Sequence, residues 1–354
     1  MFRGKVVGHT QVVLFDQLYG LYCKGLPCLL LSPTLQKYLK LPILDRIMTF
    51  RTDEGSIISG FLYDQCLFRE ITSSNVISPT DLRAFVGFLV SIQQILMSGL
   101  SLFQAVTAQY LLSQLIQNFS WLLSSQIKNA LSNKKRYFNC DNSLKTMKLA
   151  STVGCASEIL SLAMLYYKIF QYEQSLRYLQ QAQENMSNSY DINKYCIREE
   201  VYKGCMEGVP LIDRMKKCLI SDIQMHNEYV YIDELIPEQK ADKIYGAGVL
   251  FIPPFVMLHM LFVLNHRRLG DTVKSQQSLQ NLHTLLLSDD KTRVPMHLRD
   301  ISWQILGICQ QTCGDFVGAL NSFQCSLQEL HFNKIQTSTK FRIQRINDCN
   351  LIHN

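Results

Sequence analysis

Two histidines, two acidic pairs and two cysteine pairs are the residues of this chain whose types and spacing could do chemistry. His259 and His266 stand two helical turns apart, an interval that puts two imidazoles on one face and could serve a metal ion. No third ligand accompanies them, so the pair is expected to be structural. Asp233-Glu234 and Asp289-Asp290 set carboxylates side by side. Neighbours in an extended stretch point to opposite faces, so neither pair alone makes a two-metal platform. A helix start and a surface loop account for them. Cys309 and Cys313 are one helical turn apart, and Cys23 and Cys28 flank Gly25-Leu26-Pro27; neither pair has a His or a second Cys pair at zinc spacing. A glycine-rich run followed by Lys and Ser or Thr is missing, as are His-Glu-x-x-His and Gly-x-Ser-x-Gly. The chain is therefore expected not to be an enzyme and to have no catalytic residue, no cofactor and no metal site.

The elements that would position any site are helical. Trp303 to Leu327 reads as two short helices joined at Gly314-Asp315, with Trp303, Leu306, Gly307 and Gln310 on the first and Ala319, Phe323 and Ser326 on the second. This spacing resembles a tetratricopeptide repeat. The resemblance implies that Gly307 admits the paired helix, that Ala319 sits at the crossing, and that Trp303 and Phe323 fill the space between the helices. Gln310 stands where that family has an aromatic, and Ser326 where it has Ala. A single unit cannot bury its own apolar faces, so copies are expected upstream. One has Leu162, Ala163 and Tyr166 on its first helix and Ser175, Leu179 and Ala182 on its second, with Tyr172 near the turn. There Ala163 takes the place of Gly307, Ser175 of Ala319 and Leu179 of Phe323. Another is set on Gly270-Asp271, with Phe262, Val263 and His266 facing Ser275, Leu279 and Leu282.

Composition is that of a folded protein: 354 residues, 47% hydrophobic and 18% charged. The net charge of +6 is modest, and Lys134-Lys135-Arg136 and Arg214-Lys216-Lys217 read as solvated helix ends. Twelve cysteines spread over many expected helices fit buried thiols in a reducing, cytoplasmic compartment. The first residues lack the apolar core and cleavage site of a signal peptide.

Along the chain, residues 1–77 read as an N-terminal helical segment, with the end of an upstream domain as the alternative. It contains a helix over 57–69 and a linker at Thr72 to Asn75. Ser78-Pro79-Thr80-Asp81 is a strong helix start. Residues 78–144 read as an apolar helical hairpin. Ala84 to Ile127 carries no charged side chain, enough for two bilayer crossings of about twenty residues each. Its amides, among them Gln109, Gln114, Gln117 and Asn118, are costly in hydrocarbon and favour two buried helices divided at Gly99 and Ser101. Lys128 to Ser143 reads as a helix end and exposed loop, and 145–332 as the tetratricopeptide-like region. Within that region Tyr229 to Leu235 alternates like a strand, though a loop or helix start fits equally, and Val249 to Leu264, interrupted at Pro253-Pro254, reads as a buried first helix. Residues 333–354 form a basic tail.

Five segments, LYGLYCKGLPCLLLS, ISPTDLRAFVGFLVSIQQILMSGLSL, YVYIDELIPEQKA, LFIPPFVMLHMLFVLNHRRLGD and DISWQILGICQQTCGDFVGALNSFQ, resemble the C-terminal helical region of invertebrate Mab (male abnormal) nucleotidyltransferase-fold proteins, relatives of cyclic GMP-AMP synthase. The family's core needs a Gly-Ser turn and a strand with two metal-holding carboxylates one residue apart, and this sequence does not supply that carboxylate pair. The resemblance implies a helical region without the catalytic core.

The expected fold is all-α, an irregular α-solenoid of helical hairpins with two or three tetratricopeptide-like units. The expected function is a non-catalytic protein-protein interaction module whose groove presents Tyr166, His266 and Gln310, with inter-helix packing as the competing role of all three. The alternatives are the regulatory region of a nucleotidyltransferase-fold innate-immune sensor and a membrane-associated helical protein. A protein or peptide partner is favoured; nucleic acid, a membrane and a small-molecule substrate are disfavoured.

Overall fold

A computed structural model describes Asp64, Phe68, Phe85 and Gly87 and, continuously, residues 102–127, 132–187, 199–245, 248–288, 293–329 and 334–352. The expectations placed on 1–63, the linker at Thr72, the start at Ser78-Pro79, the break at Gly99, Cys23 and Cys28, and Asp289-Asp290 lie outside the described residues. Among the described residues the chain is predominantly helical, with twelve α-helices and one two-stranded sheet. They fall into two compact units, one of residues up to Glu158 with 199–216, the other from Ile159 to Ser187 and from Lys217 onward.

In the first unit α1 (Leu102–Ser125) pairs with α2 (Asn133–Val153). The charge-free α1 buries Ile116, Phe119 and Trp121, but amides are buried in it too, and Gln109 and Gln114 are put to use. Gln109 donates to the carbonyl of Val153 at 3.0 Å, and Gln114 donates to Glu158. Ser120 and Ser143 each donate a hydroxyl to the other's carbonyl, at 2.7 and 2.9 Å, a reciprocal pair that small side chains permit. Among the described residues no helix is long and apolar enough to cross a membrane.

Helix α2 corrects the expected loop at Lys128 to Ser143 from Asn133 onward, and it runs through the expected boundary at 144/145. Its buried side is Asn139, Asn142, Ser143, Thr146, Met147 and Ala150, so there is almost no apolar periodicity to read. Ser132 starts it by accepting the N–H of Lys135, and the chain leaves it at Gly154.

The helix pairs α3 (Ala156–Lys168) with α4 (Tyr172–Ser187), α8 (Pro254–Arg268) with α9 (Thr272–Leu287), and α10 (Arg299–Cys313) with α11 (Phe316–Gln328) are three antiparallel hairpins. In the second unit α4 packs on α8, α8 and α9 both pack on α10, and α11 packs on the last helix, α12 (Gln336–Ile352). The 333–354 tail is thus a docked helix over most of its length, with Thr339 and Ile346 buried.

Between the first two hairpins lie α5 (Glu199–Met206), α6 (Leu211–Cys218), β1 (Ile223–His226), a 3-10 turn at Asp233–Leu235, α7 (Ile236–Tyr245) and β2 (Val249–Ile252). The strands pair antiparallel, Ile223 opposite Ile252 and His226 opposite Val249. Of the readings open for Tyr229 to Leu235, the structure has the loop and helix start, its last three residues forming the 3-10 segment. One expectation is corrected. The apolar run from Val249 splits at Pro253-Pro254 into a strand and a helix whose first residue is Pro254, where a missing N–H costs nothing.

Candidate functional site

The three hairpins turn in the same way. Phe170, Gly270 and Gly314 each adopt a left-handed conformation, φ 65°, 77° and 89°. The next residue then donates its N–H back to the first helix: Gln171 to Tyr166 O at 3.0 Å, Asp271 to His266 O at 2.9 Å, and Asp315 to Gln310 O at 2.9 Å. Asp271 and Asp315 go on to cap their second helices through the N–H groups of Lys274 and Gly318. Counting from this turn makes Tyr166, His266 and Gln310 equivalent positions.

The crossing points also correspond. Ser175 donates its hydroxyl to Ala163 O at 2.8 Å and Ser275 to Val263 O at 3.2 Å. In the last hairpin the matching pair is Gly307 and Ala319, and Gly307 lies against the Phe323 ring so closely that an added Cβ would be 2.5 Å from it. Leu162, Ala163, Leu179, Ala182, Leu306, Ala319 and Phe323 are all fully buried. Trp303 differs from expectation. It is half-buried and faces a groove that runs over α10 between α9 and α11.

The groove encloses about 740 Å³. Trp303 and Gln310 form its floor, Gln276, Gln280 and His283 one wall, and Asn321, Ser322 and Cys325 the other. Of the three expected groove residues only Gln310 lines it, and its carbonyl oxygen accepts the Ser322 hydroxyl at 2.6 Å. Tyr166 is buried and stacks on Tyr178, ring centroids 5.3 Å apart, within its own hairpin. His266 is half-buried against Phe262, and burial holds its pKa below the ordinary histidine value. These two are packing residues in this structure.

A different side of the first helices is filled by the chain's own segment at Tyr229 to Ala241. Tyr167 and Arg268 both donate to Glu234, and Lys168 donates to the carbonyl of Val230. Gln304 on α10 donates to the fully buried Glu238 at 2.7 Å, and Arg342 on α12 binds both oxygens of Glu238 at 2.7 and 2.8 Å. Glu234 therefore serves as an acceptor in an ion-pair network. Its neighbour Asp233 begins the 3-10 turn, as a helix-start reading has it.

Among the described residues no group of three His, Cys, Asp or Glu side chains could hold a metal. Burial, reinforced by Arg293, lowers the His259 pKa to about 4, which keeps that ring neutral. Cys309 is a buried free thiol, its pKa raised mainly by burial. Two buried carboxyls titrate high, Glu158 at about 7 and Asp300 at about 6, each pushed up by burial. Glu158 accepts the N–H of Cys155 at the start of α3 and Asp300 that of Ile301 in the first turn of α10, positions that make them helix-end carboxyls.

Sequence reasoning missed Gln276, Gln280, His283, Asn321 and Cys325. The signal was present: Gln276, Gln280 and His283 follow an i, i+4, i+7 rhythm along the second helix of the middle pair. No family model, no curated protein and no solved structure matches the chain.

Proposed function

We propose that this chain is a non-catalytic interaction module, built of tetratricopeptide-like hairpins stacked as an irregular solenoid, whose partner is a protein or peptide seated over α10 between α9 and α11. The observation that carries this reading is the open groove at the last two hairpins, with a partly accessible Trp303 at its floor. Surface-accessible aromatic side chains in a recess are the usual anchors of recognition. The competing face of the first helices is already occupied by Tyr229 to Ala241, which supports the groove as the working surface. The stretch 300–324, part of the resemblance to Mab proteins, supplies the floor and one wall. We place the module in the cytoplasm, in keeping with Cys309, Cys313 and Cys325 as free thiols.

The test is affinity purification from native cytosolic extract with the full chain, followed by a binary binding measurement with the purified partner. Trp303→Ala should weaken that binary affinity by tenfold or more, while Phe341→Ala, at an exposed position outside the groove, should leave it unchanged. A partner that binds the Trp303→Ala chain as tightly as the original would overturn the reading.

A further inference from the structure

The walls of the groove are amide-rich, and their amides are unspent. Gln277 on α9 pairs with Asn281 at 3.2 Å, but Gln276 and Gln280, on the groove side of the same helix, make no side-chain hydrogen bond among the described residues. Asn321 on the facing wall is likewise exposed and unengaged. A carboxamide offers a donor and an acceptor together, which matches the alternating N–H and C=O of a peptide main chain.

The spacing selects the form of that main chain. Residues four apart on a helix are separated by about 6 Å along its axis. An extended strand repeats its same-side N–H and C=O groups every second residue, about 6.7 Å. Gln276 and Gln280 are thus nearly in register with an extended strand. An α-helical occupant would have its main-chain groups satisfied internally and would leave the amides without a partner.

Charge selects its composition. Among the described residues no Lys or Arg lines the groove, and the one acidic side chain is Asp315, the cap at the start of α11. An acidic segment would meet a carboxylate and no cation, whereas a neutral or basic one meets no repulsion.

Resting on the interaction-module reading, we propose that the α9–α10–α11 groove binds an extended, neutral or basic segment of a partner protein. Gln276, Gln280 and Asn321 hold its main chain, and Trp303 takes one apolar side chain. The probe is a random nine-residue phage-displayed peptide library selected on the full chain. Enriched peptides should be poor in Asp and Glu and share an apolar position. The joint substitution Gln276→Ala, Gln280→Ala and Asn321→Ala should weaken them, and these positions are exposed, so a thermal melt should show the variant folded. N-methylation of alternate main-chain nitrogens in an enriched peptide should cost about three- to tenfold in affinity for each lost bond. Peptides that lose binding with Trp303→Ala but tolerate the triple variant and N-methylation, or that carry apolar residues at i, i+3 and i+4, would overturn the extended-strand inference and leave the groove reading standing. Enriched peptides indifferent to Trp303→Ala, or none enriched at all, would overturn both.

Discussion

Tyr166 in the α3–α4 hairpin and Gln310 in the α10–α11 hairpin give their carbonyls to the same turn, yet their side chains treat the space behind it differently. Tyr166 stacks on Tyr178 and closes the gap between its helices with two rings. Gln310 meets the small Ser322 through one hydrogen bond, and the space beside them is part of the groove. The backbone of a helix pair fixes which positions face each other. Whether that meeting point is core or cleft is decided by the bulk of two side chains twelve residues apart.

The largest test widens the contrast to how the last hairpin and the middle one, which carries Arg268, are fastened to the segment at Tyr229 to Ala241. The last is tied through Gln304 to a buried pair, Glu238 fully inaccessible and Arg342 at 12%. Arg342→Ala leaves that carboxylate without its charge partner and should cost about 3–5 kcal/mol in chemical denaturation. The Arg268–Glu234 pair, more than half exposed on the arginine side, should cost under about 1 kcal/mol when Arg268 becomes Ala. Equal losses would remove the distinction.

The next test is pH. Glu158 in α3 and Asp300 in α10 both have folded pKa values above the ordinary carboxyl range, about 7 and about 6. The folded chain holds protons that the unfolded chain has released. Their stabilisation is therefore complete below about pH 4 and is lost as pH rises through 6 for Asp300 and 7 for Glu158. For Glu158 the loss is about 3 kcal/mol between its ordinary value of 4.5 and 7. Thermal midpoints measured across this window should decline for the original chain and decline less for Glu158→Gln. A Gln variant with an unchanged slope would mean that burial does not govern this carboxyl.

Third come the crossing points. Gly307→Ala drives a Cβ into the buried Phe323 ring and should lower stability by about 2 kcal/mol. At the equivalent place Ala163→Gly makes no clash and should cost about 1 kcal/mol through helix propensity. The exchange Tyr166→Gln should cost about 1–2 kcal/mol, from the lost ring stack and apolar burial. Gln310→Tyr should fill the groove and abolish peptide capture while the chain stays folded, which circular dichroism checks. The smallest effect has the opposite sign. Phe170 is held at φ 65° and is 77% exposed, where the other two hairpins have glycine. Phe170→Gly should raise stability by about 0.5–1 kcal/mol in a thermal melt, the relief of left-handed strain exceeding the added freedom of the unfolded chain.

The hairpins were legible because their signals are local. Gly270-Asp271 and Gly314-Asp315 combine a residue tolerant of the left-handed region with a cap for the next helix, and the equivalence of Tyr166, His266 and Gln310 follows by counting back from them. Phe170 was not legible as a turn residue, since a bulky aromatic is a poor sequence mark of positive φ. Helix α2 was hidden because its buried side is polar. The four-residue strands at Ile223 and Val249 were hidden because each is too short to alternate convincingly and finds its partner far along the chain. The groove was partly legible: Trp303 and Gln310 stood out, but the amide walls look on paper like any solvated helix face.

The segment 188–253 also bears on the order of assembly. Hairpins α8–α9 and α10–α11 are joined by the short stretch 288–298, whereas α4 must find α8 across a stretch roughly six times longer, a closure costing about 1.5 kcal/mol more. The adjoining pair should condense first and the α3–α4 pair should join late. In stopped-flow kinetics Phe323→Ala should then slow folding, while Leu179→Ala should chiefly speed unfolding. A chain interrupted between its first two hairpins carries its slow step at that interruption, so during synthesis α4 waits unpaired until α8 has been made.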